Sequence, residues 1–130
     1  MSKKSGLKFY VCPHCGNMVG MVHAGGGTLV CCGDPMKELI PNTTDASGEK
    51  HVPVIAVKGN TVEVTVGSVL HPMTPEHHIV WIALETKQGV QRKPLDPAGV
   101  PKATFALADG DKAVAAYEYC NLHGLWKAEA

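Results

Sequence analysis

The feature that most constrains the fold of this chain is a set of four cysteines near its start. Cys12 and Cys15 form a Cys-x-x-Cys turn followed by Gly16, whereas Cys31 and Cys32 are adjacent. Such a turn brings two sulfurs together, and the glycine-containing segment between the pairs is long enough for a hairpin that returns to them. The segment is too short to form a stable hydrophobic core of its own, so it needs a cross-link such as a bound metal. We therefore predict that a metal bound by the four thiolates holds it together.

The identity of this metal depends on the second cysteine pair. The Cys-x-x-Cys spacing alone fits both a structural zinc ribbon and an iron site. A zinc ribbon usually has a second Cys-x-x-Cys, but here Cys31 and Cys32 are neighbours. Neighbouring side chains of an extended segment point to opposite faces, so ligation by both strains the backbone and distorts the tetrahedron. This feature favours iron. Because four sulfurs fill the site, His14 and His23 are predicted to be surface residues.

Composition divides the chain into two parts. Four of the five cysteines precede residue 33, whereas the long alternating apolar runs follow residue 51. Between them, residues 41–48 read PNTTDASG, a cluster of turn formers with little to bury. We predict a small metal-bound domain at 1–38, a linker at 39–50 and a second domain at 51–130.

The second part predicts a mainly β fold, an immunoglobulin-like antiparallel sandwich. Residues 54–57 and 61–66 flank Lys58-Gly59-Asn60, and valines alternate with polar residues in the second run, which indicates a β-hairpin. Further short apolar segments follow at 78–84, 86–92, 103–108 and 113–119. Six or seven short strands separated by turns rich in Gly, Pro and Asp are typical of a sandwich. No stretch shows a helical period with clear caps.

Charge and hydropathy argue against two classes of partner. Twelve basic residues balance twelve acidic ones, so no basic excess attracts nucleic acid, and no basic amphipathic stretch suits a membrane surface. The chain has no long apolar run, and its start, MSKKSGLKFYVC, lacks the apolar stretch of a signal peptide. We expect a cytoplasmic protein whose odd number of cysteines serves metal binding or redox chemistry rather than disulfides.

A second group of potential metal ligands lies in the β-rich part. Its members are His51, His71, His77, Cys120 and His123. His71 and His77 bracket a loop with two prolines, which reduce the entropy lost on ligation. Cys120 and His123 offer a thiolate and an imidazole from one turn. A lone histidine is more often a surface or core residue, but the five together indicate iron or copper, with one octahedral position left open for a small substrate.

These motifs resemble those of the desulfoferrodoxins, the two-iron superoxide reductases. The four cysteines match the desulforedoxin-like iron site of that family, including its adjacent pair. The segments that match its catalytic iron site are EKHVP at 49–53, HPM at 71–73, HHIVWI at 77–82 and CNLHGLWK at 120–127. The resemblance covers nearly the whole chain, although residues 86–101 carry no signature of the family.

The resemblance implies a catalytic iron with four histidines in a plane and Cys120 as its axial ligand. The planar ligands would be His51, His71, His77 and His123. It also implies that Glu49 binds the resting ferric iron and that Lys50 lies near the open face. His78 stands where the family often has tyrosine, and the spacing from His71 assigns the ligand to His77.

The activity implied is the one-electron reduction of superoxide to hydrogen peroxide. The family further implies a rubredoxin-like or other reductase as electron donor, and a homodimer.

Two other functions compete with this assignment. A cupredoxin-like electron carrier could use Cys120, His123 and another histidine as copper ligands. However, no methionine follows His123 at a short interval, and His51 and His77 would then have no role. A zinc-ribbon module that binds other proteins would leave the second ligand group unexplained.

Overall fold

The structure, a computed structural model, describes residues 6–130. These residues form two compact units, Gly6–Ile40 and Pro41–Ala130. The first five residues of the predicted domain 1–38 lie outside the described residues. Positions 41–50 of the predicted linker belong to the larger unit, and the domain boundaries at 38 and 51 stay predictions.

The smaller unit consists of short strands and turns. Its strands are β1 (Phe9–Val11), β2 (Met18–Gly20), β3 (Val30–Cys31), β4 (Asp34–Pro35) and β5 (Lys37–Leu39). Strands β2, β1 and β5 form an antiparallel sheet in that order, and β3 pairs with β4. Within the described part of this unit, Phe9 and Cys12 are the buried hydrophobic residues. So small a core cannot stabilise a unit by itself, which agrees with the predicted need for a metal.

The larger unit is a sandwich of two antiparallel sheets. Its elements are α1 (Gly48–His51), β6 (Pro53–Lys58), β7 (Thr61–Val66), β8 (Ile79–Thr86), β9 (Val90–Pro94), β10 (Lys102–Ala106), β11 (Ala113–Cys120) and β12 (Gly124–Glu129). One sheet has three strands in the order β10-β7-β6, and the other has four in the order β12-β11-β8-β9.

The core lies between these two sheets. In β7 the valines Val62, Val64 and Val66 are fully buried, whereas the residues between them are not, so one face of this strand is apolar. They pack with Leu84 of the four-stranded sheet and Phe105 of β10 in one hydrophobic cluster. The predicted mainly β fold, with a small metal-site unit before an antiparallel sandwich, is confirmed.

The end of the chain differs from the sequence-based expectation. Residues 113–119 do not form the last strand, because the chain turns after Cys120 and returns as β12, which pairs with β11 from Gly124 onwards. The sequence did not reveal β12 because its buried residues Leu125 and Trp126 are adjacent and break the period of two. The predicted ligand turn at 120–124 is therefore a hairpin between two paired strands.

The short helix α1 was not predicted from the sequence. Helix α1 is a single turn of four residues, too short to show a helical period, and it ends at His51. No helix in the described part of the chain is both long and apolar enough to cross a membrane.

Candidate metal centres

The four cysteines of the smaller unit converge on one point. Their sulfur atoms all lie within 4.8 Å of one another. Cys12 directly follows β1, and Cys31 ends β3, so the two pairs of thiols come from different strands. The sulfur of Cys31 lies 3.7 Å from that of Cys15 and 3.9 Å from that of Cys32. The structure thus assembles the predicted four-sulfur group.

Backbone geometry explains how both cysteine pairs reach this point. The N–H groups of His14 and Cys15 each donate to the Cys12 sulfur at 3.4 Å, and Gly16 has a φ of 80°, which lets the turn curl around the sulfurs. Cys32 has a φ of 53°, a left-handed conformation that residues other than glycine rarely adopt. This conformation turns Cys32 to the same side as Cys31, so the predicted backbone strain at the adjacent pair is present.

The protonation of the thiols indicates that the group needs a cation. The N–H of Cys15, helped by that of His14, lowers the pKa of Cys12 to about 6. The neighbouring sulfurs of Cys15 and Cys12 raise the pKa of Cys32 to about 12. One thiol therefore ionises easily and hinders ionisation of another, and a bound cation would favour the ionised form of the group. Four sulfur donors in a small cluster fit iron or zinc.

The two other histidines of this unit stay outside the sulfur group. His14 and His23 are exposed, as predicted, and the His14 ring contacts the Asp34 carboxylate.

Four imidazole rings form a second centre in the larger unit. The ring centroids of His51 and His71 lie 4.8 Å apart, and those of His71 and His77 lie 4.5 Å apart. His77 and His123 follow at 5.1 Å, and His123 returns to His51 at 4.9 Å. The distance across, from His51 to His77, is longer at 6.4 Å. Neighbouring rings are edge to face, with interplanar angles between 76° and 87°. The rings therefore surround a common point.

The thiol of Cys120 lies against this ring of imidazoles. Its sulfur is 3.4 Å from Nε2 of His71 and 3.8 Å from Nδ1 of His123. Cys120 is fully buried at the end of β11, within the hydrophobic core cluster. The donor atoms of His51, His71, His77 and Cys120 all lie within 4.8 Å of one another. His123 joins them through its Nδ1, which is 3.1 Å from Nε2 of His51.

Hydrogen bonds orient the rings of His51 and His71 so that one nitrogen of each faces the common point. His51 donates from Nδ1 to the Ser47 carbonyl, and His71 donates from Nδ1 to the Pro72 carbonyl, both at 2.7 Å. These bonds leave the lone pair of each Nε2 free to face the centre. Nε2 of His77 is buried and has no hydrogen-bond partner. A buried nitrogen without a partner is costly, and a bound cation at this point would satisfy it.

Burial keeps the imidazoles in the form that binds metals. It lowers the pKa of His71 to about 4 and also lowers the pKa of His51 and His77, so all three are neutral near pH 7. Burial raises the pKa of the Cys120 thiol, while backbone N–H groups of Leu122 and His123 act in the opposite direction. Four imidazoles and one cysteine sulfur are a donor set that fits an iron ion.

Glu49 and Lys50 lie in α1, directly before His51, and both are exposed. The Glu49 carbonyl accepts hydrogen bonds from the N–H of Val69 at 2.9 Å and from the Ser68 hydroxyl at 3.2 Å. Their backbone is thus fixed while their side chains reach solvent. Burial is the main cause of the lowered pKa of His51, and the charges of His123 and then of Lys50 act in the same direction.

The structure distinguishes the two adjacent histidines. The His77 ring takes part in the centre, whereas the His78 ring donates from Nδ1 to the Thr74 carbonyl at 3.0 Å and lies outside the donor group. This placement agrees with the choice of His77 made from its spacing.

Sequence reasoning missed two residues that contact the ligand segments. Trp126 stacks on the His51 ring with centroids 4.9 Å apart, and its Nε1 donates to the His123 carbonyl at 3.1 Å. Asn121 forms hydrogen bonds to the segment around His77. Both lie in the matched segment CNLHGLWK, but only its Cys and His had a recognisable metal-binding pattern.

Comparison with known proteins identifies the family of this chain. The desulfoferrodoxin family model matches residues 43–129, and the model of the desulfoferrodoxin N-terminal domain matches residues 5–39. The chain belongs to the desulfoferrodoxin family. It is 54% identical over 123 residues to a desulfoferrodoxin of Nitratidesulfovibrio vulgaris, covering 95% of this chain and 96% of that protein. The predicted resemblance is therefore confirmed.

Solved structures extend the family relationship to the fold. The crystal structure of the superoxide reductase from Treponema pallidum matches with a TM-score of 0.82 and 42% identity, covering 96% of this chain and all of that one. The one-iron superoxide reductase from Giardia intestinalis matches with a TM-score of 0.53 and 34% identity, covering 63% of this chain and 97% of that one. The desulfoferrodoxin chain thus carries donor groups for two iron ions, one of four cysteines and one of four histidines and a cysteine.

Proposed function

We propose that this chain is a superoxide reductase that acts at the centre of four histidines and Cys120. The observation that carries the proposal is the closed ring of four imidazoles against one buried thiol. The superoxide reductases of Treponema pallidum and Giardia intestinalis, which share its fold, support the same activity. In the reaction, each superoxide takes up one electron and two protons and becomes one molecule of hydrogen peroxide.

Each group of residues in the centre has its own role in the reaction. The five donors would hold a ferrous ion, which when bound would supply the electron. The imidazoles of His51, His71, His77 and His123 would hold the iron through their nitrogen lone pairs. The Cys120 thiolate donates electron density from the buried side, which raises the basicity of reduced oxygen species and favours their protonation. Because this sulfur is buried, substrate approaches from the opposite, solvent-facing side.

Glu49 and Lys50 have separate roles in this proposal. The Lys50 ammonium attracts the anionic substrate and orders a water molecule that donates protons. The Glu49 carboxylate would be a further ligand for the resting ferric ion. Their position in the turn that ends at His51, with exposed side chains, supports both roles.

The four-cysteine centre holds the second iron and stabilises the smaller unit in this proposal. Electrons come from a rubredoxin-like or other reductase, and the chain forms a homodimer in the cytoplasm. Five cysteines without a disulfide agree with a reducing compartment. With a formal net charge of zero, we expect neither nucleic acid nor a membrane as a partner.

The two rival functions fit the centre less well. A cupredoxin-like carrier needs one cysteine and two histidines with a weak axial ligand, whereas four imidazoles surround the point here. A zinc-ribbon binding module needs no second centre.

The decisive experiment is to measure the products of superoxide consumption in the presence of a reductant. We expect one hydrogen peroxide for each superoxide consumed and no dioxygen. A dismutase would instead release dioxygen together with peroxide, and formation of dioxygen would refute the proposal. Elemental analysis should also find iron at both centres, and copper or a single zinc would contradict it.

A further inference from the structure

The side chain of Asn121 bonds to the backbone on both sides of His77. Its Oδ1 accepts a hydrogen bond from the N–H of His78, and its Nδ2 donates to the carbonyl of Glu76, both at 2.9 Å. The backbone N–H of Asn121 also donates to the His78 carbonyl at 3.2 Å. These three bonds bracket His77 from both sides, and they come from the residue directly after Cys120.

The orientation of the His77 ring depends more on its backbone than that of the His51 or His71 ring does. The rings of His51 and His71 are each oriented by a hydrogen bond to a carbonyl, of Ser47 and Pro72 respectively. The His77 ring has no hydrogen-bond partner among residues 6–130, and its Nε2 is buried. Its direction is therefore set by the backbone that carries it.

Thr74 supports the same backbone but cannot replace Asn121. The N–H of Thr74 donates to the His77 carbonyl at 2.9 Å, and the N–H of His77 donates to the Thr74 hydroxyl at 3.1 Å. Both bonds lie within one loop, so they fix the shape of that loop but not its place. Asn121 connects the loop to the β11–β12 turn, where Cys120 and His123 lie.

We propose that Asn121 is a positioning residue that fixes His77 relative to Cys120 and so sets the metal affinity and reduction potential of the centre. This inference rests on the proposed function only in taking the centre to be an iron site. Asn121 contributes no donor atom. Hydrogen-bonded groups behind metal ligands typically contribute 10- to 100-fold to metal affinity.

Asp111 provides a matched control at the other end of the sandwich. Its Oδ1 accepts hydrogen bonds from the N–H groups of Gln88 at 3.0 Å and Lys112 at 2.9 Å. Asp111→Ala, like Asn121→Ala, therefore removes at least two bonds between a side chain and the backbone. Asp111 lies beside Ala113, which pairs with Thr86, whereas Cys120 pairs with Ile79 at the opposite end of the same two strands.

The test measures iron binding by the full-length chain without oxygen. Chelator competition gives the affinity for ferrous iron: the iron left at this centre is read, after oxidation, from the ferric thiolate absorption that Cys120→Ser removes. A redox titration followed by the same absorption gives the midpoint potential. We expect Asn121→Ala to lower the affinity by about 10- to 100-fold and to shift the potential. Asp111→Ala should lower the unfolding temperature but change the affinity by less than about twofold, since it touches no ligand segment.

A second variant keeps the test informative if Asn121→Ala does not fold. Asn121→Asp keeps the acceptor for the His78 N–H but loses the donor to the Glu76 carbonyl. Its added negative charge alone would strengthen cation binding, so weaker iron binding would come from lost positioning. Parent-like affinity and potential in both Asn121 variants would overturn the inference. A parent protein that binds no ferrous iron at this centre would overturn the proposed function as well.

Discussion

Cys120 is the residue on which the proposed chemistry depends most. Its sulfur is the one soft donor among four imidazoles, and it is fully buried. Oxygen is a harder and less electron-donating ligand than thiolate. We expect Cys120→Ser to remove the iron–thiolate absorption of this centre and to lower the rate of superoxide reduction by more than about 100-fold, beyond the loss typical of groups behind the ligands. Pulsed generation of superoxide would measure the rate, and a variant with parental absorption and rate would exclude Cys120 as a ligand.

Substitution of Lys50 tests the electrostatic attraction of superoxide separately from metal binding. It is exposed and next to His51, but it is not a donor. Attraction of a small anion acts on the encounter step and weakens with salt. We expect Lys50→Ala to lower the second-order rate by roughly five- to tenfold at low salt, with iron content and visible spectrum unchanged.

Charge variants at position 50 provide the control for this prediction. Lys50→Arg should restore much of the rate, and Lys50→Glu should react more slowly than Lys50→Ala. The parental rate should also fall more steeply with ionic strength than that of the alanine variant. Equal rates for lysine, alanine and glutamate at low salt would show that Lys50 is only a solvated residue.

At the scale of single elements, Gly67 supports the turn that carries these residues. A Cβ at Gly67 would lie 2.6 Å from the Glu49 carbonyl oxygen and 3.0 Å from that of Val52, both backbone atoms. Gly67→Ala must therefore move α1 and with it His51. We expect a loss of stability of about 1–3 kcal/mol together with weaker iron binding and slower superoxide reduction.

Gly89 is the matched control for this steric effect. It lies in the turn between β8 and β9, and a Cβ there meets nothing within 4 Å. Gly89→Ala should leave stability, iron binding and rate close to those of the parent. Denaturation followed by tryptophan fluorescence would compare the variants, because Trp81 and Trp126 both lie in the larger unit. If Gly67→Ala and Gly89→Ala had equal stability, iron affinity and rate, α1 would tolerate the displacement.

The elements that the sequence predicted well are those with a local cause. The hairpin around Gly59 follows from alternating valines and a tight turn, and it appears as β6 and β7. The donor residues were recognisable because cysteine and histidine at these spacings have few other uses. Strand β12 was missed because Leu125 and Trp126 are buried side by side, and the role of Asn121 was hidden because it depends on contacts with residues 43 and 45 positions away.

At the scale of the whole molecule, the two centres belong to separate units. The four cysteines lie in Gly6–Ile40, and the four histidines with Cys120 lie in Pro41–Ala130. The Giardia intestinalis superoxide reductase aligns over 97% of its own length with only 63% of this chain. That share exceeds the length of the smaller unit, so the alignment must include part of the larger one. Superoxide reduction should therefore need only the centre in the larger unit.

Cys15→Ser tests this independence in the intact chain. Cys15 contributes one of four sulfurs in the smaller unit, and its loss leaves three, with a harder oxygen in place of the fourth. We expect this variant to lose the four-cysteine iron and its absorption and to unfold locally in the smaller unit, because little else is buried there. The second iron and the rate constant for reduced protein with superoxide should stay within about twofold of the parent, since changes at distant and independent sites do not interact. The measurement is elemental analysis combined with pulsed generation of superoxide, and Cys120→Ser provides the opposite pattern. If activity vanished while the second iron remained bound, the four-cysteine centre would take part in the reaction and the roles assigned to the two units would be wrong.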